Sequence, residues 1–135
     1  MGLDMYLTGD RYAPSHGDNK RDVVDGYEVE SVRLKMGYWR KFGPLHHFIV
    51  ERFADGDDNC RPIELSADDL IVIADALERG RLPENQEVER GCFFGSDEMW
   101  DEDRAHGSEH AKVFRKAAEW VEKNSWYSVE YQASW

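Results

Sequence analysis

Apolar and polar residues alternate along three stretches of the chain, 3–8, 29–40 and 127–135, which is the period of a β-strand with one buried face. Two shorter apolar stretches, 60–65 and 88–94, are predicted to form further strands. In the second stretch, the apolar side of the alternation is predicted to consist of Val32, Leu34, Met36 and Tyr38.

The first helical pattern follows the strand over 29–40. Pro44 suits the first position of a helix because its missing N–H would have no partner there. A helix over 45–54 is therefore predicted, ended by Gly56. Its apolar residues recur at near-helical spacing and are Leu45, Phe48, Ile49 and Phe53.

Two more helices follow later in the chain. The segment 66–69, Ser-Ala-Asp-Asp, resembles a capping box and is predicted to begin a second helix that closes at Gly80. A third helix is predicted to begin near Ser108, as its N-cap, and to end near Asn124. The apolar stripes of these helices are Leu70, Ile73, Ala74 and Leu77 in one and Phe114, Ala117, Ala118 and Val121 in the other.

This order of elements predicts an α+β fold of two layers, in which three helices cover one face of a mixed, mostly antiparallel sheet of about five strands. With 135 residues the chain is long enough for one core and too short for two, so a single domain over 1–135 is predicted. Three segments with little periodicity are predicted to be loose: 10–26, 80–89 and 95–107.

Charge and composition exclude several classes of function. The formal net charge of −11 argues against general nucleic-acid binding through phosphate contacts. No apolar stretch is long enough for a membrane span, and the first residues lack the pattern of a secretory signal. The two cysteines, Cys60 and Cys92, make no disulfide framework and fit reduced thiols. We therefore expect a cytoplasmic protein.

No pattern carries a strong catalytic or metal-binding signature, so neither a metal nor a cofactor is predicted. The run 106–110 matches H-x-x-E-H, but its Gly and Ser favour a helix entrance over a zinc-binding helix. The run 55–59 imitates a calcium loop and lacks the Gly and Glu that complete an EF-hand. An acid–base mechanism stays open, with a pair formed by His46 and a nearby carboxylate or drawn from His46, His47, Cys60 and Cys92.

Aromatic and cationic residues gather at the end of the strand over 29–40 and in the stretch 91–96. Aromatic rings beside Arg or Lys can stack a base and hold its phosphate. In the alternative interpretation, most of these rings fill the core between sheet and helices. A site for a small ligand or nucleotide would draw on Tyr38, Trp39, Arg40, Lys41, His46 and Phe94.

Four motifs resemble a family of small uncharacterised proteins that phages and prophages encode. The motifs are GLDMYL at 2–7, GYWRK at 37–41, FFGS at 93–96 and YQASW at 131–135, so the likeness spans nearly the whole chain. The chain departs from the family after Tyr6 and after FFGS, where a tyrosine-rich loop is replaced by DEMWDE. The family has no established activity, and the resemblance implies a protein that acts on host machinery.

These observations favour a non-enzymatic binding protein that engages a host protein, for example an antiviral defence component with a basic nucleic-acid-binding groove. A small-ligand or nucleotide-sequestering protein and a His/Cys-dependent hydrolase remain the alternatives. Neither a membrane nor nucleic acid itself is an expected partner. The partner-binding surface is predicted to be acidic and to include Asp97, Glu98, Asp101, Glu102 and Asp103.

Overall fold

The computed structural model describes residues 2–12, 22–79 and 106–135, which form six strands and three helices. The strands are β1 (Asp4–Tyr12), β2 (Val23–Val24), β3 (Tyr27–Glu28), β4 (Ser31–Arg40), β5 (Ile63–Leu65) and β6 (Tyr127–Ser134). The helices are α1 (Gly43–Phe53), α2 (Ala67–Arg79) and α3 (Gly107–Glu122). None of these three helices combines the length and the apolar character that crossing a bilayer requires.

Four strands form one antiparallel sheet in the order β4-β1-β6-β5, and β2 pairs with β3 in a separate hairpin. Strand β1 is hydrogen-bonded to β4 on one side and to β6 on the other. The predicted α+β fold with three helices and a mainly antiparallel sheet is confirmed. The predicted strand over 88–94, the loose segment 80–89 and residues 95–105 lie outside the described residues.

One face of the sheet and the buried faces of all three helices form a single core. Leu3, just before β1, and Met5 and Leu7 within β1 are fully buried, whereas Tyr6 is exposed. This alternation is what an antiparallel sheet with one covered face requires. The helices add the following buried side chains to the core: Leu45, Ile49, Leu70, Ile73, Ala74, Leu77, Ala111, Phe114, Ala117 and Ala118.

The predicted apolar side of β4 is wrong beyond a β-bulge in that strand. Met36 is the extra residue, and the alternation changes phase there. Beyond the bulge the buried side chain is Trp39, and Tyr38 lies on the exposed face of the sheet. Leu34, before the bulge, faces Gly9 on the helix side of the sheet and is nevertheless partly exposed. The pairs that flank the bulge are Leu7 with Gly37 and Thr8 with Lys35.

Local hydrogen bonds explain where α1 ends and α2 begins. The predicted capping box is confirmed: the Asp69 N–H donates to Ser66 Oγ at 3.2 Å, and the Ser66 N–H donates to Asp69 Oδ2 at 3.0 Å. After α1, Gly56 has φ +78°, and its N–H donates to the Val50 carbonyl at 3.0 Å. The left-handed backbone begins one residue earlier, at Asp55 with φ +53°, and continues at Gly56, where glycine adopts it at little cost.

The start of α3 differs from the prediction that Ser108 is the N-cap. The N-cap is His106, with no side-chain capping bond, and Gly107 and Ser108 are both helical. Gly107 packs against the end of α2, where a Cβ atom would lie 2.5 Å from the carbonyl oxygen of Leu77. Two helices approach this closely only when one of them has no side chain at the contact.

The structure also differs at both ends of the predicted loose segment 10–26. Strand β1 continues to Tyr12, and residues 23–28 form the hairpin of β2 and β3. Asp25 and Gly26 make its turn with φ values of +51° and +84°. Two residues of positive φ are typical of the type I′ turn that Asp-Gly favours. Residues 13–21 lie outside the described part of the chain.

The Gly107 contact predicts that Gly107→Ala destabilises the protein by about 1–2 kcal/mol, because the added methyl group pushes α3 away from α2. This loss of stability is larger than the stabilisation that replacing glycine by alanine usually brings to a helix. Ser108→Ala, one residue further and exposed, serves as the control and is expected to change stability by less than about 0.5 kcal/mol. Urea unfolding of both variants measures the difference. Equal stability of the two variants would show that the close contact is absent.

Candidate functional site

The structure separates the residues that the sequence grouped as a ligand site. Successive residues of a strand point to opposite sides of the sheet. Tyr38 and Arg40 accordingly lie on the exposed face, and Trp39 between them is buried against the helices. Lys41 follows the strand with φ +56°, and Phe94 lies outside the described residues.

Trp39 is held as a core residue. Its Nε1–H donates to His110 Nδ1 at 3.1 Å, and its ring stacks on Phe114 with 5.1 Å between the ring centroids. A buried indole needs such a partner for its one polar atom. The interpretation that aromatic residues fill the core therefore applies to Trp39.

Tyr38 belongs to a different environment on the outer face of the sheet. Its ring contacts Tyr6 with 5.3 Å between the ring centroids, and Lys35 Nζ lies 5.5 Å from the centre of the Tyr38 ring. The Tyr38 hydroxyl donates to Asp4, and this hydrogen bond is the main reason that the pKa of Tyr38 is raised.

The sixth predicted ligand residue, His46, lies at the centre of a buried polar cluster. His46 is 1% exposed, and its Nδ1 lies 2.6 Å from the hydroxyl of Tyr131. Its Nε2 lies 3.0 Å from each carboxylate oxygen of Asp58. Because a carboxylate only accepts, Nε2 donates to Asp58, and in the tautomer with its one proton on Nε2 the Nδ1 atom accepts from the Tyr131 hydroxyl.

The three groups of this cluster come from three segments of the chain. His46 lies in the first turns of α1, Tyr131 on the buried side of β6, and Asp58 in the turn that follows α1. Bonds within the Asp- and Asn-rich turn hold its shape, since Asn59 Nδ2 donates to Asp57 and the Arg61 N–H donates to Asn59 Oδ1. The predicted structural role of this turn is supported by these bonds.

The His46 cluster has the components of acid–base chemistry and leaves no ring nitrogen for a substrate. Both nitrogens of His46 are engaged, and the depression beside them holds about 10 Å³, roughly the space of one water molecule. Cys60 lines the same depression, yet the engaged imidazole offers its thiol no base. The geometry favours a structural role that ties the turn, α1 and β6 together.

Burial raises the pKa of the Tyr131 hydroxyl well above its ordinary value, and the negative charge of Asp58 acts in the same direction. Tyr131 therefore remains a neutral hydroxyl that donates to His46. The sequence predicts a pair of His46 with a nearby carboxylate and does not predict Tyr131 as its partner. The only available indication was the alternation of β6, which places Tyr131 on the covered face.

The H-x-x-E-H run does not form one helical face. His106 precedes α3 and lies 3.2 Å from Glu109, whereas His110 accepts the hydrogen bond of Trp39. Within 2–12, 22–79 and 106–135, no group of three His, Cys, Asp or Glu side chains could hold a metal ion. Cys92 and the predicted acidic residues 97–103 lie outside these ranges.

The hairpin of β2 and β3 is the most exposed apolar element in the described part of the chain. Val23, Val24 and Tyr27 are 62%, 58% and 78% exposed. Residues 22–30 contain four acidic side chains and no Lys or Arg. Four carboxylates therefore lie close in sequence to the exposed apolar side chains of the hairpin: Asp22, Asp25, Glu28 and Glu30.

Comparison with protein-family models, with curated proteins and with solved structures finds no match to this chain.

The His46 cluster predicts that Tyr131→Phe lowers the free energy of unfolding by about 1–3 kcal/mol at neutral pH, because a buried acceptor of His46 loses its donor. The cluster also predicts that this difference in stability decreases at alkaline pH. In the unfolded chain Tyr131 ionises near the ordinary value of about 10, and in the folded chain only at higher pH. The wild type therefore loses stability as the pH rises above about 10 and through the folded-state pKa.

Unfolding curves at pH values from about 8 to about 11 test this prediction, since the ordinary tyrosine pKa lies inside that range. The stability gap between wild type and Tyr131→Phe is expected to narrow as the pH rises. The exposed Tyr27→Phe variant is the control for the loss of a hydroxyl group. A gap that stays constant over the whole range contradicts the burial of a neutral Tyr131.

Proposed function

We propose that this chain is a non-enzymatic binding protein that engages another protein through the hairpin of β2 and β3. The supporting observation is the exposure of Val23, Val24 and Tyr27 on a hairpin that is separate from the four-stranded sheet. Exposed apolar side chains that are grouped and framed by polar ones mark interaction sites. Tyrosine in addition is enriched among the residues that contribute most to binding.

The proposed partner has a basic rim around an apolar cleft. The four carboxylates of residues 22–30 would face that rim, and the valines and Tyr27 would enter the cleft. The net charge of −11 would assist the approach of such a partner at low salt. A groove that binds nucleic acid has this chemistry, which agrees with a partner from the defence machinery of a bacterial host.

The resemblance to phage-encoded proteins gives this proposal its biological setting. In that setting the chain acts in the host cytoplasm and occupies a host factor. The acidic residues 97–103 remain a predicted second part of the surface. The engaged nitrogens of His46 favour binding over hydrolysis as the function of the described residues.

Crosslinking in the bacterial host tests the proposal directly. A photoreactive phenylalanine analogue replaces Tyr27, and in a matched control it replaces Ile71, which is exposed on α2. We expect one dominant protein adduct from position 27 after irradiation and none from position 71. The absence of an adduct at position 27, or the same adduct at both positions, contradicts binding through the hairpin.

A second experiment tests the chemistry of the surface. The variant with Val23→Ser, Val24→Ser and Tyr27→Ser is expected to weaken binding of the crosslinked protein at least about tenfold, as the loss of a central aromatic contact usually does. Asp22→Lys with Glu28→Lys is expected to weaken it mainly at low salt. Thermal unfolding is expected to stay nearly unchanged, because these side chains are exposed. Unchanged affinity in both variants contradicts the proposal.

A further inference from the structure

A groove of about 470 Å³ lies between strand β4 and helix α3. Residues 34–36 line it on the strand side, and Lys112, Val113, Lys116 and Trp120 line it on the helix side. Its volume falls within the range of about 300–1,000 Å³ that is typical of small-molecule sites. It is separate from the hairpin and from the His46 cluster.

The apolar floor of the groove follows from the bulge in β4. Met36, the extra residue, lies over Gly9 of β1, where any side chain would displace it. The ring of Trp120 borders the same glycine and stacks on Tyr127 with 4.4 Å between the ring centroids. Thioether, aliphatic and aromatic groups therefore form a floor whose shape is set by packed neighbours.

The charge at the rim of the groove is opposite to that of the whole chain. Lys112 and Lys116 lie one helical turn apart, and no carboxylate of residues 2–12, 22–79 or 106–135 lines the groove. Two carboxylates of α2 are engaged by another cation of α3, because Arg115 pairs with Asp75 at 2.7 Å and with Glu78 at 2.9 Å. The guanidinium group of Arg115 lowers the pKa of Glu78.

The two rim lysines are the cations available to a ligand. Neither Lys112 nor Lys116 forms an ion pair with any carboxylate of the described residues. The third lysine of the lining, Lys35, directs its ammonium group over the ring of Tyr38 on the outer face of the sheet. Two adjacent ammonium groups above an apolar floor are complementary to a molecule with one anionic end and an apolar body.

We propose that the groove binds a small amphipathic organic anion, in which an acyl chain or a ring lies on Met36, Val113 and Trp120. Its carboxylate, sulfate or phosphate group then lies between Lys112 and Lys116. A nucleobase fits the groove less well, because the polar side-chain groups of its described lining are ammonium groups and the indole N–H of Trp120, which only donate. The donor groups of a base would therefore lose water without matching side-chain acceptors.

Decanoate is the probe, and isothermal calorimetry with amide shifts of α3 in NMR spectra is the measurement. We expect saturable binding with shifts centred on Lys112, Val113 and Lys116. Decanol, which has the same chain and no charge, is expected to bind more weakly. Each lysine contributes a factor of roughly two to five to the dissociation constant, as partly exposed ion pairs do. Lys112→Gln with Lys116→Gln is therefore expected to weaken binding about tenfold.

The matched control is Lys123→Gln, which removes one charge just beyond the end of α3 and outside the groove. Its decanoate affinity is expected to equal that of the wild type. Three results overturn the proposal: no saturable decanoate binding to the folded wild type, equal binding of decanol, or equal losses in the control and the double variant. Tighter binding of adenosine monophosphate than of decanoate also overturns it, in favour of a nucleotide.

Discussion

The register of β1 with its two neighbours is the constraint on which the rest of the structure depends. Because β1 is hydrogen-bonded on both sides, the partner that a residue of β4 or β6 faces in β1 decides on which face of the sheet that residue lies. Trp39 faces Met5 and is buried, whereas Tyr38 faces Tyr6 and is exposed. One extra residue in β4 is sufficient to move the residues that follow it to the opposite face of the sheet.

The same register places the one polar side chain that β6 sends into the core. Tyr131 faces Leu7 in β1, and so its hydroxyl must find a partner among buried groups. His46 supplies that partner and in turn binds Asp58, which reaches toward solvent. A buried polar group without such bonds would cost several times what each bond contributes. The cluster is therefore a condition for burying His46 and Tyr131, and it joins β6 to α1 and to the turn that follows α1.

Charge is distributed unevenly over a strongly acidic chain. The hairpin of β2 and β3 presents carboxylates around apolar side chains, and the groove beside α3 presents two lysines around an apolar floor. These surfaces fit ligands of opposite charge, so they would serve different partners. The net charge of −11 describes the field at a distance and does not describe either contact.

The sequence by itself determined those features that depend on residues close together in the chain. The capping box of α2 joins Ser66 to Asp69, three residues away, and the apolar stripes of α2 and α3 follow from helical spacing alone. Hydrophobic alternation likewise identified β1, β4 and β6 and hence the α+β class. The hairpin was not predicted, because its strands have only two residues each. Its Asp-Gly turn is nevertheless a sequence that favours β-hairpins.

Only the tertiary structure decided which distant residues meet. Tyr131 and His46 are 85 positions apart, and no local pattern encodes their contact. The bulge at Met36 is a property of the pairing between two strands, and the apolar residues on both sides of it look like uninterrupted alternation in one strand read alone. The grouping of Tyr38 with Trp39 failed for the same physical reason, since neighbours in sequence lie on opposite faces of a sheet. Each of these side chains is buried or exposed according to the element that it packs against, and such contacts form only when the chain folds.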